Sequence, residues 1–188
     1  MHTAEIWNGY MRSYDFLTRV NGYEQNMRDL LAAAHVRPGE QVLDAGSGTG
    51  NLSVLLKRQG ASVTSCDFSA SALAVHRAKD PDAILVQADL EKPLPFDTGA
   101  FDAVCCASVI FALSQEGCRL AVREFLRVLK PGGRLVLTVP AREIKLRNLV
   151  RMHGQTLLKR HGFLGGTLRF LGDLPALSRI LYYNRRIF

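Results

Sequence analysis

The sequence lacks any apolar run long enough to cross a bilayer: its longest, residues 103–113, falls well short of the ~18–20 residues required. No basic start followed by an apolar stretch opens the chain, so no secretory leader is expected and a cytoplasmic location is. Four cysteines (Cys66, Cys105, Cys106 and Cys118) form no CxxC pair and no regular framework. They read as reduced thiols that mostly fill the core, and no metal site is expected. There is no internal repeat and no low-complexity tract. What remains is ordinary globular material, 47% apolar and 22% charged, which excludes wholesale disorder. A length of 188 residues suits one sizeable core with an appendage.

Charge is distributed unevenly. The net charge is +7, yet residues 1–140 carry 14 Lys/Arg against 15 Asp/Glu, and residues 141–188 carry 10 against 2. The basic excess therefore belongs to the last quarter alone, which marks a compositional boundary near Pro140. Three segments are expected: an N-terminal helical lid (1–35), a core (36–140) and a basic helical substrate-side segment (141–188).

Apolar spacing predicts helix over residues 6–34, broken at Asn21-Gly22. From residue 41 onward strand and helix alternate. Strands are expected at 41–45, 61–67, 83–89, 101–109 and 134–140. Helices are expected at 51–59, at 69–79 with Ser69 as N-cap, and at 120–129, the last stopped by Pro131-Gly132-Gly133. Five strands at this spacing imply right-handed crossovers and one doubly wound, mostly parallel sheet of the α/β class.

In such a sheet, ligands bind beyond the carboxyl ends of the strands. The chain places Asp44 and a Gly46-Ser47-Gly48-Thr49-Gly50 bend after the first strand, Asp67 at the end of the second and Asp89 at the end of the third. Glycines allow the bend's backbone angles and the close approach of a ligand, and the following helix aims free N–H groups at it. A dinucleotide would call for GxGxxG. Here the third glycine comes one residue early and Asn51 stands in its place. Asp44 would also set negative charge beside a pyrophosphate. A ligand with an ammonium and a sulfonium group fits better than NAD.

The stretches VLDAGSGTGNLS (42–53), Asp67, VQADLEKPLPFDTGAFDAV (86–104) and EFLRVLKPGGRLVLTVP (124–140) resemble the class I, Rossmann-like S-adenosylmethionine-dependent methyltransferases. Within them the chain is most similar to the type 11 group that includes the ubiquinone/menaquinone methyltransferases. The resemblance implies that Gly46, Ser47 and Gly48 line the methionine part of the cofactor, with Asp44 holding the bend and the amino group. It assigns the ribose hydroxyls to Asp67, the adenine surroundings to Phe68, Asp89 and Leu90, and the methionine end to the backbone of Ala107. It gives Tyr14 the role of a lid, while a packed helix aromatic remains the alternative. S-adenosylhomocysteine would be the product.

The resemblance also implies in-line methyl transfer to a small, lipophilic or carboxylate-bearing metabolite; the alternative is a truncated, catalytically silent cofactor-binding or membrane-associated domain. No catalytic residue is assigned. ASVIFAL (107–113) lacks the Asn/Asp-Pro-Pro-aromatic sequence of amine methylation, and no Pro-Cys dipeptide points to a covalent mechanism. Ser108 could touch substrate or be a plain loop residue. His35 and His76 have surface-helix contexts; only His153 and His161 are candidates for a base.

Family members continue past the fifth strand to an antiparallel strand pair, and none is found here, so a truncated chain is expected. Residues 141–160 read as helix interrupted by Gly154, HGFLGG (161–166) as a loop, and Asp173-Leu174-Pro175 as the start of another helix. This basic tail is read as a solvated lid face, an interfacial helix for anionic lipid, or, least favoured, an RNA contact. The oligomeric state is left open.

Overall fold

The structure is a computed structural model that describes residues 21–139 and 146–187. The reading of residues 6–20 as helix, and Tyr14 as lid, falls outside the described residues. The chain divides into two compact units, one spanning Met27–Val139 and the other taking in the residues on either side of it.

Helix α1 (Asn21–Ala34) precedes the alternating core: β1 (Gln41–Ala45), α2 (Asn51–Arg58), β2 (Ser62–Asp67), α3 (Ala70–Lys79), β3 (Ile84–Gln87), β4 (Phe101–Ala107), α4 (Gln115–Val128) and β5 (Leu129–Thr138). The five strands form one all-parallel sheet in the order β3-β2-β1-β4-β5. The order reverses between β1 and β4, which opens a crevice at their carboxyl ends. Strand β4 is apolar on both faces because helices cover both. Val104 and Cys106 join Leu43, Phe101, Phe125 and Val128 in a core whose members are almost wholly excluded from solvent.

Local signals set the helix ends. Ser69 caps α3 by accepting the Ala72 N–H at 3.2 Å, as the sequence predicts. Ser114 caps α4 in the same way through Gly117 N–H at 2.9 Å, so this helix starts five residues before the expected Leu120. The β5 pairing jumps from Phe101–Leu129 to Ala103–Arg134, and Pro131-Gly132-Gly133 forms the bulge between them. Arg134 then donates to the Ala34 carbonyl and to Glu40, fastening the end of α1 to β5.

Beyond β5 the described residues contain no further strand. Helix α5 (Leu146–Ile187) is interrupted once, at Gly162, where φ is 69° and ψ −179°. Residues 163–166 are helical rather than a loop, and Asp173-Leu174-Pro175 lies inside the helix rather than at its start. Glycine weakens a helix by only about 1 kcal/mol per residue, so only Gly162 takes the break and its neighbours stay helical. A Cβ on Gly154 would lie 3.9 Å from the Phe170 ring, which sets the segments before and after Gly162 side by side.

Candidate functional site

The register of the sheet builds the site. Asp44 pairs with Ser65 and with Cys105, and Ala45 with Cys66, so Gly46 leaves the sheet level with Asp67 on one side and Ala107 on the other. The bend is tied to β2 by two N–H groups, of Gly46 and Ser47, which both donate to the Cys66 carbonyl at 2.8 and 2.9 Å. Gly46 has φ 74°, and a Cβ there would strike the Val109 side chain at 2.6 Å. That glycine is therefore required twice, by its dihedral and by its neighbour. Gly48 and Gly50 also have positive φ, and Gly50 is the residue from which α2 begins.

Two carboxylates lie in this bend. Asp44, 1% exposed, accepts from the Ser53 hydroxyl at 2.5 Å, and Ser53 lies 2.8 Å from the Ser65 hydroxyl. Burial pushes Asp44 up to about 7, against the Ser53 hydrogen bond, which pulls it down, and with the Asp67 charge, which pushes it further. Asp67 accepts the Gly48 N–H at 2.9 Å and the Ser69 N–H at 2.8 Å, one on each oxygen. Burial raises its pKa too, although those two amides and that of Phe68 oppose the shift. No ion pair among the described residues reaches either carboxylate.

The remaining predicted residues are placed around this centre. The Phe68 carbonyl accepts the Gln87 side chain at 3.0 Å, linking β2 to β3. Asp89 lies two residues beyond β3; it accepts the Glu91 N–H at 3.0 Å and approaches Lys92 at 3.4 Å. Leu90, 5% exposed, packs in the core. Ala107 ends β4, and Ser108 follows with φ 55° while its N–H donates to the Thr138 carbonyl. Thus Gly46, Ser47, Gly48, Asp67 and Ala107 meet at one crevice, Asp44 lies beneath it, and Asp89 and Leu90 belong to the neighbouring strand end.

Three participants escape the sequence reading. Ser53 and Ser65 look like chance polar residues, although each interrupts an otherwise apolar buried face. His76 has no surface context: it is wholly buried in α3, and its ring occupies the space beside Gly50. Among the described residues, the buried side-chain atoms with no hydrogen-bond partner are Ser47 Oγ and the two His76 ring nitrogens. An orphaned Ser47 hydroxyl in a glycine-rich bend, beside two carboxylates with no cation among the described residues, suits a ligand that brings both positive charge and hydrogen-bonding groups.

Residues 43–137 match the family described as a methyltransferase domain, which is half of the chain. The chain belongs to the class I, S-adenosylmethionine-dependent methyltransferases. It is similar to the demethylmenaquinone methyltransferase of Beutenbergia cavernae, with 43% identity over 138 residues, 71% of this chain and 56% of that one. A longer match, to the demethylmenaquinone methyltransferase of Streptomyces griseus, has 33% identity and covers 95% of this chain and 83% of that one. The chain spans little more than half the length of several of these relatives. The fold is also that of a TehB-like methyltransferase from Corynebacterium glutamicum, with a TM-score of 0.56 at 22% identity over 77% of this chain and 82% of that one. S-adenosylmethionine is the methyl donor of this family.

Proposed function

We propose that this chain transfers a methyl group from S-adenosylmethionine to a small, lipophilic, quinone-like acceptor. The observation that carries the reading is the β1 exit, where a glycine-rich bend overlies two buried carboxylates that lack a cation among the described residues. Gly46, Ser47 and Gly48 would border the methionine part, Asp67 the ribose, and Phe68, Asp89 and Leu90 the adenine. Ala107 would offer backbone at the methionine end. When bound, the cofactor supplies an activated methyl on a sulfonium and departs as S-adenosylhomocysteine.

The chain's own work is then positioning. The Gly48 and Ser69 amides hold the two Asp67 oxygens in place, and the carboxylate's remaining acceptor capacity would go to hydroxyl groups. Ser53 and Ser65 hold Asp44 in one orientation beneath the bend. Such an arrangement brings donor and acceptor into line and lowers the barrier through orientation. A carbon acceptor would also need a base, and none is assigned.

The lipophilic acceptor is supported by the names of the relatives, which act on demethylmenaquinone by those names. It extends to a cytoplasmic protein that meets the membrane surface through residues 141–188, supported by their basic excess. The test is incubation with labelled S-adenosylmethionine and a short-chain demethylated naphthoquinone. Label in the quinone and release of S-adenosylhomocysteine support the reading. Cofactor binding without transfer to this or any quinone would favour the silent cofactor-binding domain.

A further inference from the structure

Helix α5 carries an apolar stripe that the fold leaves uncovered. Leu164, Leu168 and Leu171 are 77%, 69% and 55% exposed. Their spacing of four and three residues, at about 100° per residue, stacks them on one side of the helix. Phe163 and Leu174 are also exposed but lie toward the Phe170 side of the helix, outside this stripe. Phe170 lies about 100° away from Leu171 around the helix and faces Gly154 of the preceding segment, so the stripe points away from that contact.

Charge decides what covers this stripe. Arg151, Lys159, His161 and Arg169 are exposed within the described part of the helix. The segment from residue 141 has ten basic residues against two acidic ones, Glu143 and Asp173. No helix among the described residues is long and apolar enough to cross a membrane. A helix with an apolar stripe, a basic surround and too little total hydrophobicity to span lies in the plane of the headgroups. A second copy of the chain would bring the same positive charge to the contact, which disfavours it.

We infer that the part of α5 after Gly162 is an interfacial helix that seats Leu164, Leu168 and Leu171 in the headgroup layer of an anionic bilayer, with its own Arg169, and Lys159 of the segment before the break, on the lipid phosphates. Its purpose rests on the lipophilic-acceptor reading, since a membrane-dissolved acceptor reaches the enzyme from that surface. Its geometry stands without that reading.

The test is flotation of the full chain with vesicles of phosphatidylcholine alone and of equimolar phosphatidylcholine and phosphatidylglycerol. The chain is expected to float with the mixed vesicles only, less at high salt. L164S/L168S/L171S should reduce binding by at least about tenfold while the circular dichroism spectrum is unchanged. A milder variant, K159Q/R169Q, should weaken binding several-fold and flatten its salt dependence. Flotation of the triple variant equal to the parent's, or no flotation of the parent, overturns the inference. So does a stripe that controls self-association or oligonucleotide binding instead of lipid binding. Methyl transfer to the short-chain naphthoquinone, measured on the parent and the variants without vesicles, separates the outcomes: a parent that transfers methyl yet does not float removes only this inference.

Discussion

The His76 ring fills the space that a side chain on Gly50 would take: a Cβ there would lie 2.1 Å from His76 Cδ2. The bend and the middle of α3 are thereby locked together, and Gly50 also has φ 83°. Gly50→Ala should destabilise the fold by about 2–4 kcal/mol, from left-handed strain and overpacking together. Adding His76→Ala should relieve the collision and leave the strain of about 1–2 kcal/mol with the new cavity. Denaturant titration of the two single variants and the double variant would show this as non-additivity.

Acid should weaken the protein through the same histidine. Burial pushes His76 below its ordinary 6.5, with Lys79, Arg77 and Lys57 acting in the same direction and Asp80 against them. The unfolded chain then binds a proton that the folded chain resists, so this contribution to stability is full above pH ~6.5 and is lost as pH falls through the folded value. His76→Leu should flatten the thermal-stability profile below pH ~6.5, and at neutral pH it removes an unpaired buried N–H worth about 1–3 kcal/mol.

Asp44 acts with the opposite sign. Its folded pKa is raised from 3.8 to about 7, so its contribution to stability is present below its unfolded value and is lost as pH rises through 7. A cationic ligand returns the carboxyl to its charged form. Affinity for S-adenosylmethionine should therefore rise with pH through about 7 and be accompanied by proton release. Calorimetry in buffers of different ionisation enthalpy would detect the proton, and Asp44→Asn should abolish the pH dependence.

The loop before β4 is held by a charge cluster. Glu124 accepts the Leu94 N–H at 2.7 Å and pairs with Arg127, which donates to the carbonyls of Leu94 and Phe96. Glu124→Ala should cost about 2 kcal/mol, since it leaves the Leu94 N–H unpaired and frees the guanidinium. Denaturant titration checks the magnitude, and amide exchange at Leu94 checks the cause.

Much of this architecture is legible in the chain because local chemistry writes it. The bend after β1, the Ser69 cap and the strand-end position of Asp67 follow from glycine placement, hydroxyl capping and period, whereas β3 stops at Gln87, two residues short of the expected end at Asp89. The start of α4 is harder to read, since the Ser114 cap precedes a glycine that reads as a breaker. Gly165, Gly166 and Pro175 mislead in the same way within α5, where helix continues on either side of Gly162. Long-range packing stays invisible. Nothing local tells that His76 is buried beside Gly50, or that Ser53 and Ser65 meet over Asp44 from two different elements.

Isothermal titration with S-adenosylmethionine, on the parent chain and on Asp67→Asn, tests the central claim most directly. One site per chain is expected, with affinity reduced about tenfold or more by Asp67→Asn, whose amide cannot accept at both oxygen positions. No binding by the parent, or equal affinity in the variant, would contradict the assignment of the β1 exit as the cofactor site.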